Sequence, residues 1–109
     1  MSRDLDPTIR RYFEHANALD AEAASAVFAP DAVVHDEDHD HVGTDAIRDW
    51  LRDTMKRYAA QLQPESVTPA GNATVVSTRV SGTFPGSPIA MRFSFQLANG
   101  LIARLEIAA

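Results

Sequence analysis

A chain of 109 residues without cysteine has room for one domain and one core, and it excludes disulfide staples and thiolate metal sites. Its formal charge of -5 argues against a nucleic-acid partner, because phosphate binding needs a basic stripe. No window is apolar enough to span a bilayer, and the first twenty residues carry no apolar secretion-signal run, so the expected location is the cytoplasm with no membrane partner.

Asp6-Pro7 is a helix start signal, a capping carboxylate followed by proline in the first turn. Ile9, Phe13 and Ala16 follow at helical spacing, with Tyr12 and Leu19 flanking the same side. A break at Asp20 precedes a short alanine-rich helix expected to reach about Phe28 and to stop at Pro30. The β-branched "AVV" that follows reads as a strand. Next comes "VVHDEDHDHVG", residues 33–43, in which residues 35–41 are all imidazoles or carboxylates. Gly43-Thr44-Asp45 restarts a helix, with Thr44 as the expected cap. Its apolar side carries Ile47, Trp50, Leu51, Thr54, Met55, Tyr58 and Leu62, and Pro64 is its expected end.

Beyond Pro64 the period becomes two. Thr74, Val76, Thr78 and Val80 share one face. Ile89, Met91, Phe93, Phe95 and Leu97 share another, opposite Arg92, Ser94 and Gln96. Asn99-Gly100 is a tight-turn signal, after which Leu101, Ala103, Leu105 and Ile107 are expected on one face. Helices first and antiparallel strands later point to an α+β domain with helices packed on one face of a curved sheet.

The segment "RYFEHANALDAEAASAVFAPDAVVHDEDHDHVGTDAIRDWL", residues 11–51, resembles the SnoaL-like and steroid delta-isomerase-like members of the nuclear transport factor two-like superfamily. Asp20, Phe28, "APDA", "AVVHD" and "GTDAI" carry the likeness, and "GTFPGSP" and "NGLIARLEI" extend it over nearly the whole chain. The resemblance implies one domain over residues 1–109: a cone of bent antiparallel sheet wrapped around helices, a cystatin-like α+β barrel with an apolar pocket at its open end. It also implies a homodimer through the outer sheet face. Members include isomerases, cyclases, dehydratases and hydrolases, besides binding modules, so the fold alone does not give the function. In the isomerases an aspartate on the first strand moves a proton beside a carbonyl, and a tyrosine on the first helix and a late-strand acid stabilise the enolate oxygen. Here the resemblance places Asp36 at the base position and Tyr12 at the tyrosine position. The late strand offers Met91 or Arg92 where the acid stands, so that group is missing.

Three readings of residues 35–41 stand side by side. Asp36 follows Val34 on one strand face, so an apolar row ends in a carboxylate, a proton acceptor once burial raises its pKa. A hydrogen bond from Tyr12 would lower it again. On a continuous strand His35, Glu37, His39 and His41 would share a ligand-rich face, although a turn within the run would scramble it. A solvated loop at the mouth of the cone is the third. The expected substrate walls are Trp50, Met91 and Phe93. No metal and no organic cofactor is expected, and the expected partner is a small apolar or carbonyl-containing ligand. The enzyme reading is cofactor-independent proton transfer, of isomerase, cyclase or dehydratase type. The alternative is a non-catalytic ligand-binding or dimerisation module, favoured by the missing acid and by a short C-terminus after Ile107.

Overall fold

The computed structural model describes residues 5–109; the first four residues of the N-terminal stretch read above lie outside it. Helix α1 spans Pro7–Asn17. The Asp6 carboxylate accepts the Thr8 N–H at 2.8 Å, and Pro7 sits in the first turn, where its missing N–H leaves no bond unmade. Ile9, Tyr12, Phe13 and Ala16 are buried. Leu19 is not on their side: it lies past the helix end with φ 56° and is 47% exposed. Helix α2, Ala21–Ser25, is capped by the Asp20 side chain on the Ala23 N–H at 3.0 Å. It therefore stops short of Phe28, where strand β1, Phe28–Asp36, already begins. Pro30 does not end an element. It lies where the pairing of β1 with its neighbour shifts register between Phe28 and Val33, so no ladder bond is asked of its nitrogen.

Strand β2, His39–Val42, folds straight back on β1, pairing His39 with Asp36, Asp40 with His35 and His41 with Val34. Glu37 and Asp38 make the turn, both at positive φ (53° and 63°), the geometry of a two-residue hairpin. Gly43 at φ 88°, not Thr44, caps helix α3, Thr44–Tyr58, and no side chain bonds that cap. Helix α3 ends at left-handed Ala59 (φ 47°), well before Pro64. Leu62 accordingly belongs to strand β3, Gln61–Ala70. That strand lies at the sheet edge, where Pro64 and Pro69 are tolerated. The Asn17 side-chain amide clamps it to α1, donating to the Leu62 carbonyl at 2.8 Å and accepting the Leu62 N–H at 2.7 Å.

Strands β4 (Ala73–Ser81), β5 (Ile89–Ala98) and β6 (Leu101–Ala108) complete a six-stranded sheet in the order β2-β1-β6-β5-β4-β3. Its neighbours run antiparallel except β1 and β6, which are parallel. In β4 the buried side chains are Val76, Thr78 and Val80, and in β5 Phe93 and Phe95, as alternation requires. Asn99 and Gly100 form the β5–β6 turn at φ 54° and 77°. The single face expected for β6 is broken. Gln96 pairs with Arg104 but Leu97 with Ile102, so Ala103 is an extra residue, and the buried pair is Ile102 and Leu105.

The sheet curves around the helices, as the α+β cone requires. Tyr12 and Phe13 of α1 meet Phe28 of β1 and Phe93 and Phe95 of β5, with ring centroids 5.4 to 6.5 Å apart. These aromatic contacts, edge-on, tilted and stacked, fix the first helix against the sheet and leave the space between α1, α3 and the β3–β5 surface unfilled.

Candidate active site

That space is a cavity of about 280 Å³, at the small end of ligand sites. Its walls are apolar: Leu51 and Met55 of α3, Leu62 of β3, Val80 of β4, and Met91 and Phe93 of β5. Polar groups gather at one end, where Tyr12, Asp36 and Trp50 meet. Glu37 and Tyr58 also line it.

Asp36 is the last residue of β1 and shares the inner face with buried Val34. Its side chain is half-buried and accepts one hydrogen bond from a side chain, from the Trp50 indole Nε1–H to Oδ2 at 3.0 Å. Burial pushes the Asp36 pKa above its usual value. The Trp50 bond opposes this, the nearby Glu37 charge adds to it, and His41 and the Glu37 backbone N–H oppose it; burial wins. The Trp50 ring, buried against the core, has the His41 imidazole stacked on it at 5.8 Å and 30°. Helix α3 therefore supplies the group that orients the carboxylate.

Tyr12 is 2% exposed and faces the cavity from α1. Burial, and after it the Asp36 charge, hold its phenol well above the usual range, so the hydroxyl stays protonated. It makes no hydrogen bond among the described residues. The expected bond from Tyr12 to Asp36 is thus replaced by the one from Trp50, and the Tyr12 donor is left free. Trp50, Met91 and Phe93 all line the cavity, whereas Arg92 is exposed and donates to the Ala109 carbonyl at 3.4 Å.

Among the lining residues that escaped the sequence reading of the site are Glu37 and Tyr58. Glu37, at the hairpin turn, accepts from the Tyr58 hydroxyl at 3.1 Å and from Arg57 at 3.3 Å. Arg57 also donates to the Tyr58 oxygen at 2.9 Å and stacks over its ring at 4.7 Å. Tyr58 was legible as part of the apolar side of α3, but its partner lies 21 residues away across a turn. Gly82 lets the β4–β5 loop close on this corner: a Cβ there would stand 2.5 Å from the Tyr58 carbonyl oxygen, which accepts the Thr83 N–H at 2.8 Å.

The charged run is a hairpin with two faces. His39 and His41 pair with Asp36 and Val34 on the inner face, while His35 and Asp40 pair on the outer face, 2.7 Å apart. The turn splits the ligand face imagined for His35, Glu37, His39 and His41. Among the described residues no group of three or more potential ligands converges. No helix there is long and apolar enough to cross a membrane.

The fold and much of the sequence recur in known proteins. A Sinorhizobium meliloti protein assigned as a polyketide cyclase is 41% identical and superposes with a TM-score of 0.93, covering 98% of each chain. A Catenulispora acidiphila protein with a ketosteroid isomerase-like fold, solved with trimethylamine, is 15% identical over 94% of this chain and 85% of its own, with a TM-score of 0.83. SalBIII, an epoxide hydrolase/cyclase-like enzyme in pyran ring formation in the polyether salinomycin, is 19% identical over 93% and 86%, with a TM-score of 0.79. The comparison with curated proteins gives no match. The SnoaL-like domain matches residues 9–105, from the first turn of α1 to the middle of β6; with that span and the nuclear transport factor two-like architecture around it, the chain belongs to the SnoaL-like domain family.

Proposed function

We propose that this protein is a cofactor-independent proton-transfer enzyme, of isomerase, cyclase or dehydratase type, that works in the cytoplasm on a small apolar ligand bearing a carbonyl. The observation that carries the reading is the pairing of a half-buried carboxylate with an unengaged, protonated hydroxyl at one end of an apolar cavity. The Asp36 carboxylate takes a proton from the carbon beside the carbonyl, and the C–H electrons become the enolate double bond. The carbonyl π pair moves to oxygen, where the Tyr12 hydroxyl donates a hydrogen bond. Where the ligand carries a carbon–carbon double bond one carbon further along, the product is a dienolate; protonated Asp36 returns the proton to its far carbon, that double bond shifts into conjugation and the carbonyl re-forms. Trp50 holds Oδ2, which leaves Oδ1 for the proton. Trp50, Met91 and Phe93 supply the wall. The 41% identical polyketide cyclase-assigned relative supports this class of chemistry.

A second reading, a ligand-binding or dimerisation module of the same fold, is favoured by one observation. Met91, not an acid, lines the cavity on the late strand, so Tyr12 is the one oxyanion donor. A homodimer through the outer sheet face fits either reading. Ser94, Gln96 and Arg104 there are half-buried and polar, which suits a wet sheet-on-sheet interface; sedimentation that finds only monomer at micromolar concentration removes it. To test the enzyme, 3-cyclohexenone is supplied and its conversion to the conjugated ketone is followed by ultraviolet absorbance. Conversion that Asp36→Asn abolishes supports the proposal. Binding of the ketone without conversion leaves the module.

A further inference from the structure

We infer that the cavity is a charge filter, which admits uncharged and cationic ligands and rejects a ligand that carries a carboxylate at the Asp36 end. The inference deepens the proposed function and rests on its ligand site, though not on its proton transfer.

The first argument is the charge inventory. Asp36 and Glu37 line the cavity, and no lysine, arginine or histidine does. The nearby cations are engaged elsewhere. Arg57 bonds Glu37 at 3.3 Å and Asp53 at 2.9 Å. Arg52 bonds Glu22 at 2.9 Å, and Arg48 lies against Glu22 and Asp45. His41 stacks on Trp50 and is not part of the lining. Glu37 therefore has a bonded counter-cation, whereas Asp36 is bonded to none among the described residues and has only the His41 imidazole, outside the lining, acting on it through charge. The one side-chain bond to Asp36 comes from a neutral indole. Leu51, Met55, Val80, Met91 and Phe93 form the surrounding wall, and in such surroundings a charge is felt more strongly than at an open surface.

The second argument is a count of hydrogen-bonding groups. Of the side-chain donors that line the cavity, the Trp50 N–H is on Asp36, the Tyr58 hydroxyl is on Glu37, and the Thr54 hydroxyl is on the Leu51 carbonyl at 3.2 Å. The Tyr12 hydroxyl is free. A carboxylate ligand brings two charged oxygens with several lone pairs and meets one donor, so it is left desolvated and unpaired. A ketone brings one oxygen, which that donor satisfies. An amidinium brings donors for Asp36 Oδ1 and a positive charge for the faces of the lining aromatic rings. Charge and donor count select in the same direction.

The test uses the single tryptophan of the chain. Trp50 gives one indole N–H signal in a nitrogen-correlated NMR spectrum, and that proton sits at the site. Acetophenone, benzoate and benzamidinium are planar, nearly equal in size, and differ in charge. Titrated separately, acetophenone and benzamidinium should move the indole signal, with benzoate at least tenfold weaker than acetophenone. In Asp36→Asn, which keeps an acceptor for Trp50, the gap between benzoate and acetophenone should fall below threefold. In Glu37→Gln it should stay above tenfold, because Glu37 is paired with Arg57 and Asp36 is left in place. A gap under tenfold in the natural protein, a gap of threefold or more in Asp36→Asn, or a gap closed by Glu37→Gln overturns the inference. So does a protein that responds to none of the three probes, or one that binds benzamidinium more weakly than acetophenone. A protein that ranks the ligands as expected yet isomerises no ketone keeps the filter and loses the enzyme.

Discussion

The two faces of the β1–β2 hairpin hold the same residue types in different surroundings. On the inner face Asp36 is half-buried beside an apolar cavity, and an indole N–H orients it at 3.0 Å. On the outer face Asp40 lies 2.7 Å from His35, with both side chains substantially exposed. The two aspartates are four positions apart, yet burial raises one pKa and the His35 hydrogen bond lowers the other. Strand alternation together with a two-residue turn assigns a half-buried carboxylate to one face and a solvated pair to the other. Composition, which is uniform along the run, assigns neither.

The largest effect that can break this contrast is on turnover. Asp36→Asn should lower the isomerisation rate by about a thousandfold, the usual scale of a general base. The fold should persist, with stability unchanged or slightly raised, because a desolvated charge is removed while the acceptor for Trp50 remains. Asp40→Asn on the outer face should leave the rate unchanged. A rate that falls equally in both variants, measured at equal thermal stability, erases the distinction between the faces. Tyr12→Phe comes next. Its hydroxyl has no partner among the described residues, so its loss orphans nothing and the melting temperature should hold. The rate should drop by about a hundredfold, as for other single oxyanion donors. A melting temperature that falls while the rate holds makes Tyr12 a packing residue.

Much of this architecture is legible in the sequence because period and caps are local signals. Asp6-Pro7, Asp20 and Asn99-Gly100 each bring their element ends within a few residues, and the β4 and β5 rows alternate cleanly. The misses have physical causes. The sequence of β3 is polar with two prolines, which an edge strand tolerates and a periodicity scan discards. Ala59 ends α3 in a left-handed conformation that no glycine advertises. Ala103 adds one residue to β6, which shifts the buried set from Ala103 to Ile102. At the site, Asp36 can be placed by alternation from Val34. Its donor cannot, because the Trp50 ring reaches it only after β2 and the first turns of α3 have folded back.

Trp50→Phe sharpens the inner face alone. It removes the bond that lowers the Asp36 pKa and leaves burial unopposed by it, so the pKa should rise further. The acid limb of the pH–rate profile should move to higher pH, since the base must be ionised to act. The cost in stability should be about 1 kcal/mol, below the usual value for a bond to a charged group because Asp36 is only half-buried. An acid limb that stays in place in urea-matched samples shows that Trp50 does not tune Asp36.

The smallest effect is on pH dependence, where the two faces should have opposite signs. Asp36 binds its proton more tightly folded than unfolded, so between the usual value of 3.8 and its raised pKa the folded state holds more protons. Stability from this group then falls as pH rises through that window. Asp40 binds its proton less tightly folded, mainly through the His35 bond. Its contribution is present above 3.8 and is lost as pH falls through its lowered pKa. The causes also differ in their response to salt. Screening weakens charge interactions between exposed groups such as His35 and Asp40, whereas it leaves the desolvation of Asp36 in place. Carbon-detected carboxyl titrations should therefore find Asp36 above Asp40 at low salt. In 1 M sodium chloride Asp40 should move up toward 3.8 while Asp36 stays above it. Asp36 collapsing onto Asp40 at high salt makes its shift a matter of neighbouring charge rather than burial, and the cavity is then wetter than its apolar walls imply.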